Sequence, residues 1–250
     1  MTNLTNKFDV IILSLVVDEY TFQTTKTCIE SYVNTADDLI NKIYVVETNS
    51  KFDKNYNQPK VEIIKPNKSF NYNQFYNIAL KKCKAEFVIG PNNDLVILPN
   101  CLQTLLTEFN TNKNIHSISP IDRNWHRHTK MFFPTENKLY YGSEVSLHMF
   151  GCIFCCRRSV FEQIGYLDEM FYFFYQDNDY IMSIKQCNLL HGAHTGALVK
   201  HQSGHSNKYA EERLKYIPKN MHDQGIMLQE KWSKEPFKSG SYVPFKPYTL

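Results

Sequence analysis

The sequence of 250 residues predicts an α/β fold, a Rossmann-like sandwich with a mostly parallel central sheet, and three observations carry that expectation. Continuous apolar, β-branched runs such as FDVIILSLVV (8–17) have the character of strands covered on both faces. Stretches with helical spacing alternate with these runs. Polar clusters follow the strands, DEYT at 18–21, ETNS at 47–50 and PNND at 91–94, at the carboxyl ends where such sheets bind ligands.

The elements follow in order. YTFQTTKTCIESYV (20–33) places Phe22, Ile29, Tyr32 and Val33 on one helical face, and KIYVVETNS (42–50) and VEIIKPN (61–67) are short strands ending in turn residues. SFNYNQFYNIALKKCK (69–84) is helical by the spacing of Phe75, Ile78 and Ala79, with Ser69 a candidate cap. EFVIG (86–90) is the next strand, VILPNCLQTLLTEF (96–109) has helical spacing, and IHSISP (115–120) is a further strand. The long, aromatic, poorly periodic stretch 120–142 has the character of a functional loop. MFGCIFCCRRSVFEQIG (149–165) enters a helix from a strand, 166–188 is a turn and a helix, and GALVKHQSGHS (196–206) is a last strand and loop. Residues 1–206 form one domain on this basis, with halves at about 8–120 and 121–206, and 207–250 are a C-terminal helix and tail packed on it.

Bulk properties exclude several classes. A hydrophobic content of 42% over this length suffices for one sizeable core. No run of about 18 apolar residues is present and the start lacks the basic and apolar regions of a signal peptide, so a cytoplasmic protein without a transmembrane segment is expected. Seven scattered Cys argue against a disulfide framework. A net charge of +3 does not announce a nucleic-acid binder, although from Lys200 onward nine Lys or Arg face five Asp or Glu. The P-loop, G-x-G-x-x-G and G-x-S-x-G motifs are all missing from the sequence.

Several clusters combine a structural and a chemical reading. Asn92, Asn93 and Asp94 suit either a turn or a cation bound near phosphate, because amide and carboxylate oxygens are ligands for Mg or Mn. Asp177 and Asp179 in YQDNDY sit at the start of a helix, where carboxylates cap free N–H groups, and one of them can also serve as a general base. His201 and His205 have the spacing of a zincin helix, but Gln202 replaces the catalytic Glu and Gly204 argues for a loop; His201 is then a surface residue or a single metal ligand. CIFCC (152–156) is better explained by packing than by zinc. Trp125 and His126 in WHRH either stack on a sugar or base or anchor the loop, and HGAH (191–194) reads as a turn.

Taken in order, these motifs resemble the family-two-like nucleotide-sugar glycosyltransferases of GT-A fold, over about residues 8–206. ETNS is similar to their V-D-N-x-S strand end, NKSFNYNQFYNIAL to their Asn- and Phe-rich entry into a helix, and PNNDL to a form of their D-x-D motif. GCIFCCRRSVFEQIGYLDEMFYFFYQDNDY is similar to their late series ending in E-D-x-D, and KHQSGHS to their late His. The resemblance implies an inverting, metal-dependent transferase using a nucleotide-diphosphate sugar, commonly a UDP-sugar. Asp94 and His201 would hold Mn2+ or Mg2+, and Asp177 would deprotonate the acceptor hydroxyl. Glu47, with Val16 and Glu19 beside it, would read the nucleotide base; Asn73, Asn77, Asn92 and Asn93 would complete the donor site. Trp125, His126, Gly151 and Gln176 would face the acceptor, a glycan or lipid-linked glycan. Glu47 stands where the family has Asp, and Gln176 where it has Glu. The alternatives are transfer to a hydroxylated base in DNA and a non-catalytic sugar-nucleotide binding module.

Overall fold

A computed structural model of the chain describes residues 4–125, 128, 130–131, 137–202 and 221–233. Nine strands form one sheet, β1 (Phe8–Ser14), β2 (Ile40–Glu47), β3 (Val61–Ile64), β4 (Phe87–Pro91), β5 (Leu95–Ile97), β6 (Ile115–Asp122), β7 (Leu139–Tyr141), β8 (Ile153–Arg157) and β9 (Leu190–His201). Their spatial order is β3-β2-β1-β4-β8-β6-β9-β5, with β7 also paired to β9. β1 to β4, β6 and β9 run one way among themselves or through β8, except that β5, β7 and β8 run against them, so six of the nine strands share a direction. The expected mostly parallel α/β sheet is present.

Six α-helices among the described residues flank it, α1 (Glu19–Ala36), α2 (Tyr72–Leu80), α3 (Cys101–Thr111), α4 (Val160–Ile164), α5 (Gln176–Gln186) and α6 (Met221–Ser233). The alternation of side chains along β1 sorts them into two layers. Phe8, Val10 and Ile12 join Ile29 and Tyr32 of α1 and Leu105 and Phe109 of α3 in one core; Ile11 joins Phe75 of α2, Phe161 of α4, Ile181 of α5 and Trp232 of α6 in the other. Each such fully buried side chain contributes about 1.5–3 kcal/mol of hydrophobic stabilisation. No described helix is long and apolar enough to cross a membrane.

Local chemistry sets the helix starts. DEYT closes a capping box: Asp18 Oδ1 accepts from Thr21 N at 2.8 Å, and Thr21 Oγ1 accepts from Asp18 N at 3.1 Å. α2 starts from Asn71, whose side chain accepts from Gln74 N at 2.9 Å, and Ser69 is not the cap. The stretch 96–109 divides into the end of β5 and α3, separated at Asn100, which has φ 66°. HGAH is no turn but the body of β9, where Gly192 lies against β7: a Cβ there would meet Tyr140 O at 2.7 Å.

Candidate active site

The sheet register brings Asp94 and His201 together. Leu95 pairs with His201 where β5 meets β9, and Gln202 N donates to Asp94 O at 2.9 Å, which seats the turn after β4 against the end of β9. His201 is also held from β6, its N–H donating to Asp122 Oδ2 at 3.0 Å. Across this join His201 Nε2 lies 3.2 Å from Asp94 Oδ1, and the other ring nitrogen lies 3.9 Å from Cys152 Sγ. The carboxylate first and Cys152 second raise the imidazole to about 10. Nε2 is buried and in ionic contact with Asp94, yet has no aligned hydrogen bond. With the Nε2 proton displaced, that nitrogen and the carboxylate oxygen beside it would suit a divalent cation with two protein ligands and open positions. Among the described residues no group of three or more His, Cys, Asp or Glu side chains forms a closed metal site.

Asp177 reaches the same place from the other layer. It lies in the first turn of α5, and a Cβ built on Gly151 would fall 2.5 Å from its Oδ2, so only glycine leaves room for the carboxylate there. The next residue, Cys152, faces His201 through Sγ, and its carbonyl accepts from Asn92 N at 2.8 Å. Phe150, one residue earlier, sets its ring edge-on to His201 at 6.3 Å. Three consecutive residues ahead of β8 therefore join Asp177, the Asn92–Asp94 turn and His201. Burial raises the Asp177 carboxyl above the usual range, against a lowering hydrogen bond from Asn178 N at 2.9 Å.

Glu47 is the second buried carboxylate at a strand end. Its Oε1 accepts from Val16 N at 3.1 Å and Asn49 N at 2.8 Å, and Asn49 Nδ2 donates to Val16 O at 2.6 Å, which zips the ends of β1 and β2 together. Oε2 is buried with no aligned hydrogen bond among the described residues, and burial raises the carboxyl against the lowering effect of Asn49, Val16 and Ser14. A chain of polar contacts leads from this end to the Asn92–Asp94 turn: Ser14 Oγ lies 3.0 Å from Thr25 Oγ1, which accepts from Asn93 Nδ2 at 3.0 Å.

The other expected site residues are distributed as follows. Glu19 is exposed and pairs with Gln23 and Lys54. Asn73 and Asn77 tie α2 to the segment 167–169, through Asp168 O at 2.7 Å and Leu167 O at 2.8 Å, leaving Asn73 Oδ1 buried and unpartnered. Trp125 has the contacts of a loop anchor: Nε1 donates to Ser146 O at 3.0 Å and the ring packs on Phe150, while the residue keeps partial exposure. Gln176 opens α5 with its Oε1 buried and unpartnered. His126 and His205 lie outside the described residues, as do 203–220 and 234–250. Asp122, Cys152 and Tyr72 were not expected. Tyr72, at the start of α2, is raised by burial first and then by the charges of Cys152 and Asp177.

Comparison with known proteins bears on the family and the fold. The family model described as glycosyl transferase family 2 matches residues 16–165, a span that includes Glu47 and Asp94 and ends before Asp177 and His201. The fold is similar to that of GalNAc-T7, solved with UDP, GalNAc and Mn2+, at TM-score 0.67 and 14% identity over 92% of this chain and 49% of that one. It is similar to the mannosyltransferase PcManGT from Pyrobaculum calidifontis, in complex with GDP-Man and Mn2+, at TM-score 0.62 and 10% identity, covering 92% of this chain and 65% of that one. It is similar to S. aureus TarS in complex with UDP-GlcNAc at TM-score 0.62 and 14% identity, covering 93% and 68%. The chain thus spans about half the length of the first and about two thirds of the others. No curated protein matches it. With the GT-A architecture in place and the family model covering more than half of its residues, the chain belongs to glycosyl transferase family 2.

Proposed function

We propose that the protein is a metal-dependent, inverting glycosyltransferase that moves a sugar from a nucleotide-diphosphate donor, a UDP-sugar, to a hydroxyl of a glycan or lipid-linked glycan. The observation that carries this is the segment 150–152, which puts the Asp177 carboxylate and the Asp94–His201 pair on either side of one glycine and one cysteine. Asp94 Oδ1 and His201 Nε2 would hold Mn2+ or Mg2+, whose charge offsets that of the donor diphosphate. Asp177 takes the proton of the acceptor hydroxyl as its oxygen forms the new bond to the anomeric carbon. The bond from that carbon to the diphosphate oxygen breaks on the opposite face, the nucleoside diphosphate leaves with the electron pair, and the configuration inverts. Glu47 Oε2, an unused acceptor at the base end of the site, would receive an N–H of the nucleobase. Of the residues behind the DNA alternative, His126, Arg127, 203–220 and 234–250 lie outside the described residues, and nothing in the described part of the site favours it.

The test is a thermal-shift screen of nucleotide sugars with and without Mn2+. A donor at about 100 times its Kd adds roughly 2.7 kcal/mol to stability, and the expected result is Mn2+-dependent stabilisation by one nucleotide series. Asp94→Ala should abolish the Mn2+-dependent part while leaving the unliganded melting curve in place. Stabilisation indifferent to Mn2+ and to Asp94→Ala would overturn the metal assignment, and stabilisation without any turnover would favour a binding module.

A further inference from the structure

α6 holds the chain on both sides of Asp177. Gln224, fully buried, accepts with Oε1 from two consecutive backbone N–H groups, Phe173 N at 3.0 Å and Phe174 N at 3.1 Å. Tyr175 follows with φ 61°, a left-handed conformation that costs an aromatic residue energy and persists only where the surroundings determine it. α6 provides those surroundings: a Cβ built on Gly225 would lie 3.1 Å from the Tyr175 hydroxyl, so the ring closes directly over that glycine. Beyond the base, Asp179 receives Trp232 Nε1 at 2.8 Å and Lys231 Nζ at 2.7 Å on one carboxylate oxygen. The same ammonium binds Asp168 Oδ2 at 2.8 Å, at the turn that also anchors Asn73. Among the described residues, the Asp177 carboxylate takes its hydrogen bonds from the backbone of its own turn, Asn178 N–H at 2.9 Å and its own N–H, so its direction follows from where the first turn of α5 is placed. No side-chain cap holds that turn.

We infer that Gln224 and Lys231 of α6 are positioning residues for Asp177, fixing the 173–175 turn and the first turn of α5 so that the carboxylate sits over Gly151. The inference rests on Asp177 being the base of the proposed transferase. A helix that merely covered the core through Trp232 and Leu228 would not need a fully buried amide on two backbone groups or a lysine shared between two carboxylates.

The experiment compares the full chain with Gln224→Met, which keeps the shape and removes the acceptor, and Gln224→Glu, which keeps an oxygen there. Two readouts are used: hydrogen exchange of the 172–178 amides, and Mn2+-dependent release of UDP from UDP-glucose and UDP-N-acetylglucosamine with water as acceptor. Gln224→Met should lose protection at 172–178 with the sheet amides unchanged. Its kcat should fall about tenfold or more at an unchanged donor KM, as for other residues that orient a reacting group. Gln224→Glu should restore both. Wild-type protection at 172–178, or wild-type kcat, in Gln224→Met would overturn the inference. If Gln224→Met does not fold, Lys231→Met with rescue by Lys231→Arg is read on the same two measurements. Absence of UDP release by the wild type would instead count against the transferase reading, while exchange at 172–178 still decides whether α6 holds that turn.

Discussion

Gly151 is the residue on which the site turns, because the space it leaves is filled by the Asp177 carboxylate. Gly151→Ala puts a Cβ 2.5 Å from Oδ2, so the base must move. The expected outcome is a loss of nucleoside diphosphate release of one to two orders of magnitude, with donor stabilisation in the thermal-shift assay intact; unchanged turnover would show that Asp177 is not where the proton is taken. Burial raises the Asp177 carboxyl, and only the ionised form accepts a proton. The rate should therefore fall on the acid side with a midpoint above the ordinary Asp value of about 3.9, and a midpoint at or below it would contradict the assignment. At this scale the sequence made Asp94, Asp177 and His201 legible, since each is a polar residue next to a recognisable strand end or helix start. Cys152 was hidden by its C-x-x-C setting, and Asp122 by standing at the entrance of an aperiodic loop.

Among the elements, β9 carries the largest difference between sequence and structure. His191, Gly192 and His194 had the look of a turn because glycine and histidine are poor strand formers, whereas the glycine answers to the backbone of β7 pressed against it. No local pattern reports a neighbouring strand arriving from fifty residues away. His191 is fully buried there between Ser117 Oγ at 2.8 Å and His148 O at 3.1 Å, and desolvation lowers it to about 3. It stays neutral in the folded state while the unfolded chain takes up a proton below about 6.5. Stability is thus present above pH ~6.5 and lost as pH falls toward 3, by up to about 1.4 kcal/mol per pH unit. Urea midpoints measured from pH 7 to 5 should fall, and His191→Gln should flatten the slope; equal slopes would place the proton uptake elsewhere. DEYT teaches the converse: as a cap for α1 it is used up locally, so a polar strand end is not in itself a ligand site.

At the level of the whole molecule, the order of strands and helices from β1 to β6 was legible, because each apolar run is bounded by turn residues, except for the three-residue β5, which was read into the helix that follows it. The insertion of β8 against the grain between β4 and β6 was not, since strand order depends on contacts distant in sequence. That insertion has a mechanical consequence. β8 stitches the strands that carry Glu47 and Asp94 to those that carry His201, so the two ends of the candidate site share one continuous ladder of backbone hydrogen bonds and not a hinge between two lobes. On the proposed reading, donor capture leaves this ladder unchanged. Small-angle scattering should accordingly give the same radius of gyration with and without nucleotide sugar and Mn2+, and a measurable contraction would mean that the ladder opens. On the proposed reading, one unbroken floor leaves the sugar to make the approach.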